Sequence, residues 1–183
     1  MTGTDAVEKT RFLVLHDYGM GGVWWWVHAR SAREVVETFA EVEVVHGSDA
    51  VDRAAAWDLV EVDIDAPTMP GGLDDLRAQR DAQRDRPGFG ALADRSVVHL
   101  RRRWDGEDDV DPAVHLMEVG PDGRRLRQVE LGEDGTAVRS GPDDWPFNPP
   151  LVDLFDPDLM GSEISRDEFE AEWLRAVPED AGQ

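Results

Sequence analysis

The sequence predicts an α+β fold made of two small antiparallel-sheet subdomains, each packed by a capped helix. Two observations favour this class. Runs of alternating apolar and polar residues are separated by glycine-containing turns, which is typical of antiparallel strands. Each half also contains one capping box, a serine followed three residues later by a glutamate, at the start of an amphipathic segment. We therefore expect one subdomain over residues 10–92 and a second over residues 95–177.

A hairpin with three adjacent tryptophans opens the first subdomain. Residues 11–18 and 23–29 are predicted strands around a glycine-rich turn, and the second strand contains Trp24, Trp25 and Trp26. Successive side chains of a strand point to opposite faces of the sheet, so these three rings place aromatic surface on both faces. Each face therefore needs a cover, which a helix, a second domain, a partner or a ligand would supply.

Alternation assigns every hairpin residue to one of two faces if Tyr18 lies opposite Val23. The first face then carries Phe12, Val14, His16, Trp25 and Val27. The second face carries Leu13, Leu15, Asp17, Trp24, Trp26 and His28. An error of one residue in the turn would change the pairing and leave the alternation within each strand unchanged.

The helix that follows the hairpin is the expected cover of one face. It begins at the capping box of Ser31 and Glu34. Its apolar stripe at helical spacing consists of Ala32, Val35, Val36, Phe39 and Ala40. The second face of the tryptophan strand has no assigned cover, so we look for function there. The candidate binding residues are Asp17, Trp24, Trp26 and His28.

Four further elements are predicted in the first half and five in the second. The first half continues with strands at 41–45 and 60–65 and helices at 49–59 and 73–86. The second half is a meander of strands at 96–104, 113–119, 124–131 and 136–139. A proline-rich connection at 142–160 carries apolar residues that we expect to dock on the sheet. A last helix begins after the capping box of Ser165 and Glu168 and ends before Pro178.

Composition excludes several functional classes. The net charge of −21 is spread along the chain, and such a body repels phosphate backbones, so we expect no binding to nucleic acid. The same charge favours solubility and would attract a basic partner. The chain has no cysteine, which excludes disulfides, thiolate catalysis and cysteine-based metal sites. No apolar run approaches the length of a membrane span and no secretory signal is evident, so we expect a cytoplasmic protein without membrane contact.

No constellation of catalytic or metal-binding residues is evident. The five histidines form no zinc-binding motif, and His16 and His28 fall on opposite faces of the hairpin. No serine lies in a nucleophile elbow. Asp63 and Asp65 would share one strand face, a geometry suited to a divalent cation, although most such pairs are solvated. We therefore predict no catalytic residue, no metal ligand and no cofactor.

Two groups of arginines are predicted to pair with carboxylates. The first consists of Arg77, Arg80 and Arg84, which share one helix face and have acidic neighbours on the protein surface. The second consists of Arg101, Arg102 and Arg103, of which alternation sends Arg102 to the opposite face from the other two. In so acidic a protein, both groups are expected to bind neighbouring carboxylates and not a phosphate.

Two segments of the second half carry a resemblance to known proteins. The hairpin at residues 123–135 and the capped helix at residues 163–173 occur in that order with a spacer between them. Together they make residues 95–177 similar to a small family of uncharacterised bacterial domains that are common in actinobacteria. The resemblance implies an accessory role, such as immunity or protein interaction, and assigns no catalytic residue. The first half resembles no family that we can place.

These observations support three hypotheses. The first is a non-catalytic cytoplasmic interaction module, immunity- or antitoxin-like, that binds a basic protein partner. The second is a small enzyme or small-molecule sensor with an aromatic pocket around Trp24 and Trp26, where Asp17 and His28 make polar contacts. The third is purely structural, with the two halves packed together through the tryptophan strand.

Overall fold

The computed structural model of the chain describes residues 8–106 and 111–179. It confirms the predicted α+β class, with one sheet of four strands and one of five. The chain divides into two compact units, Met1–Arg86 and Pro87–Gln183. Residues 87–92, which the sequence assigns to the first subdomain, therefore lie in the second unit.

The first unit is a four-stranded sheet with three helices. Its strands are β1 (Thr10–Asp17), β2 (Gly22–Ala29), β3 (Glu43–Val45) and β4 (Glu61–Asp63), in the order β3-β1-β2-β4. Its helices are α1 (Ala32–Thr38), α2 (Ser48–Ala54) and α3 (Leu73–Arg84). The pairing of β2 with β4 is parallel, unlike the all-antiparallel sheet that we predicted. The long connection between these two strands, which includes α1, β3 and α2, makes a parallel pair feasible.

The register of the tryptophan hairpin differs from the predicted one by two residues. Asp17 lies opposite Gly22 and Val14 lies opposite Trp25. The turn closes through a hydrogen bond from the Tyr18 amide to the Gly21 carbonyl (3.1 Å). Because the shift is even, every residue stays on its predicted face.

The second unit is a five-stranded sheet with one α-helix and one 3-10 segment. Its strands are β5 (Val98–Trp104), β6 (Ala113–Val119), β7 (Arg125–Gly132), β8 (Ala137–Ser140) and β9 (Val177–Pro178), paired in this order. The strands from β5 to β8 form the predicted antiparallel meander. The short strand β9 follows helix α4 (Arg166–Arg175) and pairs with β8 in parallel, a pairing that we did not predict.

Both predicted capping boxes begin a helix. The Ser31 hydroxyl accepts a hydrogen bond from the Glu34 amide (3.0 Å), and the Ser165 hydroxyl accepts one from the Glu168 amide (3.1 Å). Each bond satisfies an amide that lacks a partner in the first helical turn. In the second unit Phe169 of α4 is fully buried against the sheet.

The proline-rich connection lies partly in the core of the second unit. Leu154 and Phe155 are buried, as predicted, and the ring of Phe155 lies 5.8 Å from that of Phe89. Phe147 is 84% exposed and therefore does not dock. It lies in a segment without regular structure.

Candidate functional site

Both faces of the tryptophan strand are covered by the first unit itself. On the first face Trp25 is buried in a cluster with residues of α1 and α3, among them Val35 and Leu76. On the second face Trp26 is buried with Leu13 and with Ala54 of α2. Helix α2 is therefore the cover that the sequence left unassigned. The sequence contained a sign of this cover, because Val51 and Ala54 are apolar residues three positions apart within the predicted helix.

Trp26 has almost no accessible surface for a ligand. Its side chain is 3% exposed, and the guanidinium of Arg11 lies 4.2 Å from the centre of its ring. Such a cation over an aromatic face is itself a favourable contact. Trp26 is thus a core residue, and Trp24 is the only one of the three tryptophans that is not buried.

Asp17 and His28 share a face, as predicted, but lie at opposite ends of the hairpin. Asp17 is next to the turn, where its Oδ1 accepts a hydrogen bond from the Gly19 amide (2.8 Å). His28 lies opposite Arg11, six residues before Asp17 along β1. At about 3.3 Å per residue the two ends are about 20 Å apart. The structure therefore does not bring the four candidate binding residues together at one site.

His28 belongs to a surface ion-pair network at the end of the hairpin. A hydrogen bond joins His28 Nε2 to Glu61 Oε2 (2.9 Å), and Arg11 donates to the other carboxylate oxygen (3.0 Å). Both bonds hold the pKa of Glu61 below its usual value, and the bond to His28 has the larger effect. All three side chains are partly exposed, so the network adds little to stability.

Asp63 and Asp65 bind cations of the chain itself. Lys9 forms ion pairs with both carboxylates, and Arg30 binds Asp65 through two nitrogens and also Glu34. The site that could suit a divalent cation is therefore occupied by an ammonium and a guanidinium. Within residues 8–106 and 111–179 no group of three or more histidine, aspartate or glutamate side chains is arranged to hold a metal ion.

The stability of the first unit is expected to fall in acid partly because of Asp65. Hydrogen bonds from Arg30 and then Lys9 lower the pKa of Asp65 from 3.8 to about 2. A carboxyl group with a lowered folded-state pKa stabilises the fold above its unfolded pKa and loses that contribution as the pH falls. Urea unfolding between about pH 4 and pH 2 should therefore show a smaller loss of stability in Asp65→Asn than in the wild type. Equal losses in the two proteins would contradict this assignment.

An exposed aromatic surface lies next to the covered strand. Trp57 follows α2 in a tight turn, in which its amide donates to the Ala54 carbonyl (2.9 Å). Its ring meets that of Trp24 edge-on, with 5.6 Å between the ring centres, and Trp57 remains 46% exposed. We call Trp24 and Trp57 the tryptophan pair. The sequence did not single out Trp57, because nothing in the local pattern distinguishes an exposed tryptophan from a buried one.

Three carboxylates near Trp57 in the sequence have no cation partner in the part of the chain that the structure describes. Asp49 and Asp52 lie on α2, Asp58 follows Trp57, and all three are exposed. None of them forms an ion pair with another described residue, in contrast to Asp63 and Asp65. These carboxylates, which form no ion pair with a described residue, distinguish α2 and the turn after it from the network around His28.

The second unit contains an ionic cluster that the sequence analysis missed. Arg127 of β7 donates to Glu118 of β6 (2.8 and 2.5 Å) and to Glu170 of α4 (2.6 Å). Its guanidinium also lies 5.0 Å from the ring centre of Phe169. Arg127, and to a lesser degree His99, keeps the pKa of Glu118 below its usual value. Because these groups bind one another, we interpret the cluster as structural: its ion pairs hold α4 against the sheet.

The histidines of the second unit do not form a joint site. His99 and His115 lie on neighbouring strands but face opposite sides of the sheet. His99 Nε2 is 3.1 Å from Glu118 within the ionic cluster. Burial lowers the pKa of His115 on the other side.

Comparison with known proteins supplies no relative: the chain matches no protein family, no curated protein and no solved structure. The resemblance of residues 95–177 to uncharacterised actinobacterial domains stays a prediction. Among the described residues, every helix is too short or too polar to cross a membrane.

Proposed function

We propose that the protein is a non-catalytic, cytoplasmic interaction module of the immunity or antitoxin type, which binds a basic segment of a partner protein. The proposal is supported by the tryptophan pair together with Asp49 and Asp52 of α2 and Asp58, which follows Trp57 in the sequence. Together these residues combine exposed aromatic surface with carboxylates that have no cation partner among the described residues. The net charge of −21 would steer a basic partner toward the protein.

An arginine-rich segment suits this surface in two ways. A guanidinium stacks on the face of an indole ring, and it also forms paired hydrogen bonds with a carboxylate. Trp57 is held edge-on by Trp24, so its ring loses little conformational freedom on binding. Exposed tryptophans of this kind are frequent energetic centres of protein interfaces.

The alternative of an aromatic pocket for a small molecule has less support. That hypothesis needs Trp26 as a wall, and Trp26 is buried beneath α2 and Arg11. It also needs Asp17 and His28 as joint polar contacts, and these lie at opposite ends of the hairpin. The structural hypothesis is also weakened, because α1, α2 and α3 already cover the strand within its own unit.

Binding of a synthetic arginine-rich peptide tests the proposal. We expect saturable binding by calorimetry, and a loss of about tenfold or more in affinity in Trp57→Ala, as for a hot-spot residue. Asp52→Asn should weaken binding less. A lysine-rich peptide of equal charge should bind more weakly, because an ammonium cannot stack or form paired hydrogen bonds.

The second unit offers a matched control for this experiment. Trp104 has the same exposure as Trp57, 46%, and lies on β5. Trp104→Ala should therefore leave the affinity unchanged, as should Asp143→Asn for the charge. Equal losses in Trp57→Ala and Trp104→Ala, or no preference for arginine over lysine, would show unspecific attraction to an acidic surface and overturn the proposal.

A further inference from the structure

Strand β2 is paired on both sides only at its C-terminal end. β1 pairs with one edge of β2 along its whole length. β4 pairs with the other edge at Trp26, Val27 and His28 and does not reach the three residues Gly22–Trp24. Among the strands that the structure describes, none pairs with this outer edge of Gly22–Trp24, which we call the open edge.

The open edge presents backbone groups that can bond to a further strand. The amide of Trp26 points away from β1, since it donates to the Val60 carbonyl (3.0 Å). By alternation, the amides and carbonyls of Gly22 and Trp24 point the same way. They form no backbone hydrogen bond with another described residue. The open edge therefore offers two donors and two acceptors to an added strand.

The open edge is also the solvent-exposed end of β2. Gly22 and Val23 are exposed and Trp24 is partly exposed, and burial begins at Trp25. Gly22 has no side chain of its own to hinder the approach of another backbone. An extended segment can therefore reach the outward backbone groups.

Exposed apolar side chains lie on both faces of the open edge and in the turn before it. Val23 lies on the first face and is 43% exposed. On the second face Trp24 contacts the exposed ring of Trp57. Tyr18 and Met20, in the turn, are 60% and 96% exposed. Exposed apolar groups of this kind are typical of a surface that binds another chain.

The charge at the open edge selects the kind of segment that can bind there. Asp17 lies opposite Gly22 and therefore on the same face as Trp24. Its carboxylate forms no ion pair with a described residue. This charge favours a cationic side chain, and the net charge of −21 disfavours an acidic segment or a second copy of the chain.

The edge strand β5 of the second sheet does not suit a basic segment. Its last four residues are exposed, but three of them are arginines. Arg101 pairs with Glu168 (3.5 Å) and Arg103 with Asp105 (2.8 Å), as predicted. Arg102 forms no ion pair with a described residue, unlike the prediction. Positive charge on β5 therefore repels the segment that the open edge attracts.

We propose that the basic segment of the partner binds as an added strand at the open edge, a mode of binding that rests on the function proposed above. Its backbone bonds to Gly22 and Trp24, and its arginines lie on the face of Trp24 and Trp57. Because side chains of a strand alternate between faces, the residues between the arginines lie on the face of Val23 and are apolar. The partner segment thus alternates arginine with apolar residues and does not consist of a run of arginines.

Two peptides of equal composition test this pattern. The alternating peptide is acetyl-Arg-Val-Arg-Val-Arg-Val-amide, and the block peptide is acetyl-Arg-Arg-Arg-Val-Val-Val-amide. Calorimetry with the full chain should show about tenfold tighter binding of the alternating peptide. Equal affinities would overturn strand addition and leave the proposed function in place.

Methylation of peptide amides tests the backbone hydrogen bonds. In an added strand, all arginine amides point to one edge and all valine amides to the other, so only one set faces β2. Methylating two amides of that set should weaken binding by about tenfold or more, and methylating two of the other set should change it by less than about twofold. Equal effects of the two sets, or no effect of either, would overturn strand addition.

Hydrogen exchange of the full chain locates the bound peptide. The Trp24 amide should exchange about tenfold more slowly when the alternating peptide is bound, whereas the Trp25 amide, which points toward β1, should not change. Val23→Thr should weaken binding about threefold. Val97→Thr is the matched control, because Val97 is similarly exposed (40%) in the second unit, and it should leave the affinity unchanged.

The same measurements separate the two proposals. An unprotected Trp24 amide in a complex that Trp57→Ala still weakens would overturn strand addition alone. Absence of saturable binding by either peptide would overturn strand addition together with the proposed function.

Discussion

Replacing Trp26 with alanine is expected to lower the free energy of unfolding of the first unit by about 3–5 kcal/mol. Trp26 is buried between the sheet and α2, where it packs with Leu13 and Ala54. Its removal leaves a cavity that the short helix α2 cannot fill, and it also removes the ring on which the Arg11 guanidinium lies. Urea denaturation followed by the amide signals of β1 and β2 measures the loss.

Trp57→Ala is the matched control for this variant, since it removes the same side chain from an exposed position. We expect it to cost about 1 kcal/mol or less, as for most surface substitutions. If Trp26→Ala were as mild as Trp57→Ala, then α2 would not be the cover of the second face. In that case the hypothesis of a ligand pocket at Trp26 would regain its support.

Replacing Arg80 with alanine is expected to destabilise the first unit by about 3–5 kcal/mol, from the cavity it leaves and from the buried carbonyls that lose their donor. Arg80 is 1% exposed, and its Nη2 donates to the carbonyls of Val36 (2.9 Å) and Phe39 (3.0 Å). Its Nη1 donates to the side chain of Gln83 (2.8 Å). The variant therefore leaves buried carbonyls at the end of α1 without a donor and also creates a cavity.

Arg84 lies one turn further along α3 and serves as the comparison. It is partly exposed, forms an ion pair with Asp81 (3.2 Å) and donates to the Glu37 carbonyl (2.6 Å). We expect Arg84→Ala to cost about 1 kcal/mol or less, as for exposed ion pairs. Thermal unfolding of the two variants, measured side by side, tests this expectation. Equal losses of stability in Arg80→Ala and Arg84→Ala would contradict the structural role of Arg80.

Arg80 also shows where the sequence-based prediction of helix α3 was wrong. Three arginines at helical spacing indicated a surface stripe paired with acids. The structure agrees for Arg77 and Arg84, which bind Asp74 and Asp81. Arg80, however, lies on the face that also buries Leu73 and Leu76. Helical spacing alone indicates that Leu73, Leu76 and Arg80 lie on one side of α3. Only the position of α1 shows that this side needs a guanidinium to bind the terminal carbonyls of α1.

Local signals were sufficient for most of the fold. Alternation predicted the strands β1 to β8, and the hydroxyls of Ser31 and Ser165 form the expected caps. The two parallel pairs were missed because they join segments that are distant in sequence, β2 with β4 and β8 with β9. Strands of two or three residues carry too little alternation to reveal their partners.

The candidate site was predictable only in part. The sequence correctly placed Asp17, Trp24, Trp26 and His28 on one face. It could not show that α2 would cover Trp26, or that about 20 Å of strand would separate Asp17 from His28. Trp57 became a candidate only when its exposure and its contact with Trp24 were known.

The position of β2 inside its sheet has a consequence for the behaviour of the protein at high concentration. A strand with three tryptophans, no proline and no charge between Gly22 and Val27 has the composition of segments that self-associate through intermolecular β-pairing. Here β1 pairs with one edge of this strand along its whole length, and β4 pairs with the other edge at Trp26, Val27 and His28. The exposed border is thus moved to β4, whose outward side chains, Glu61 and Asp63, are charged and discourage aggregation. The three residues of β4, although distant in sequence, therefore cover the backbone of β2 from Trp26 to His28.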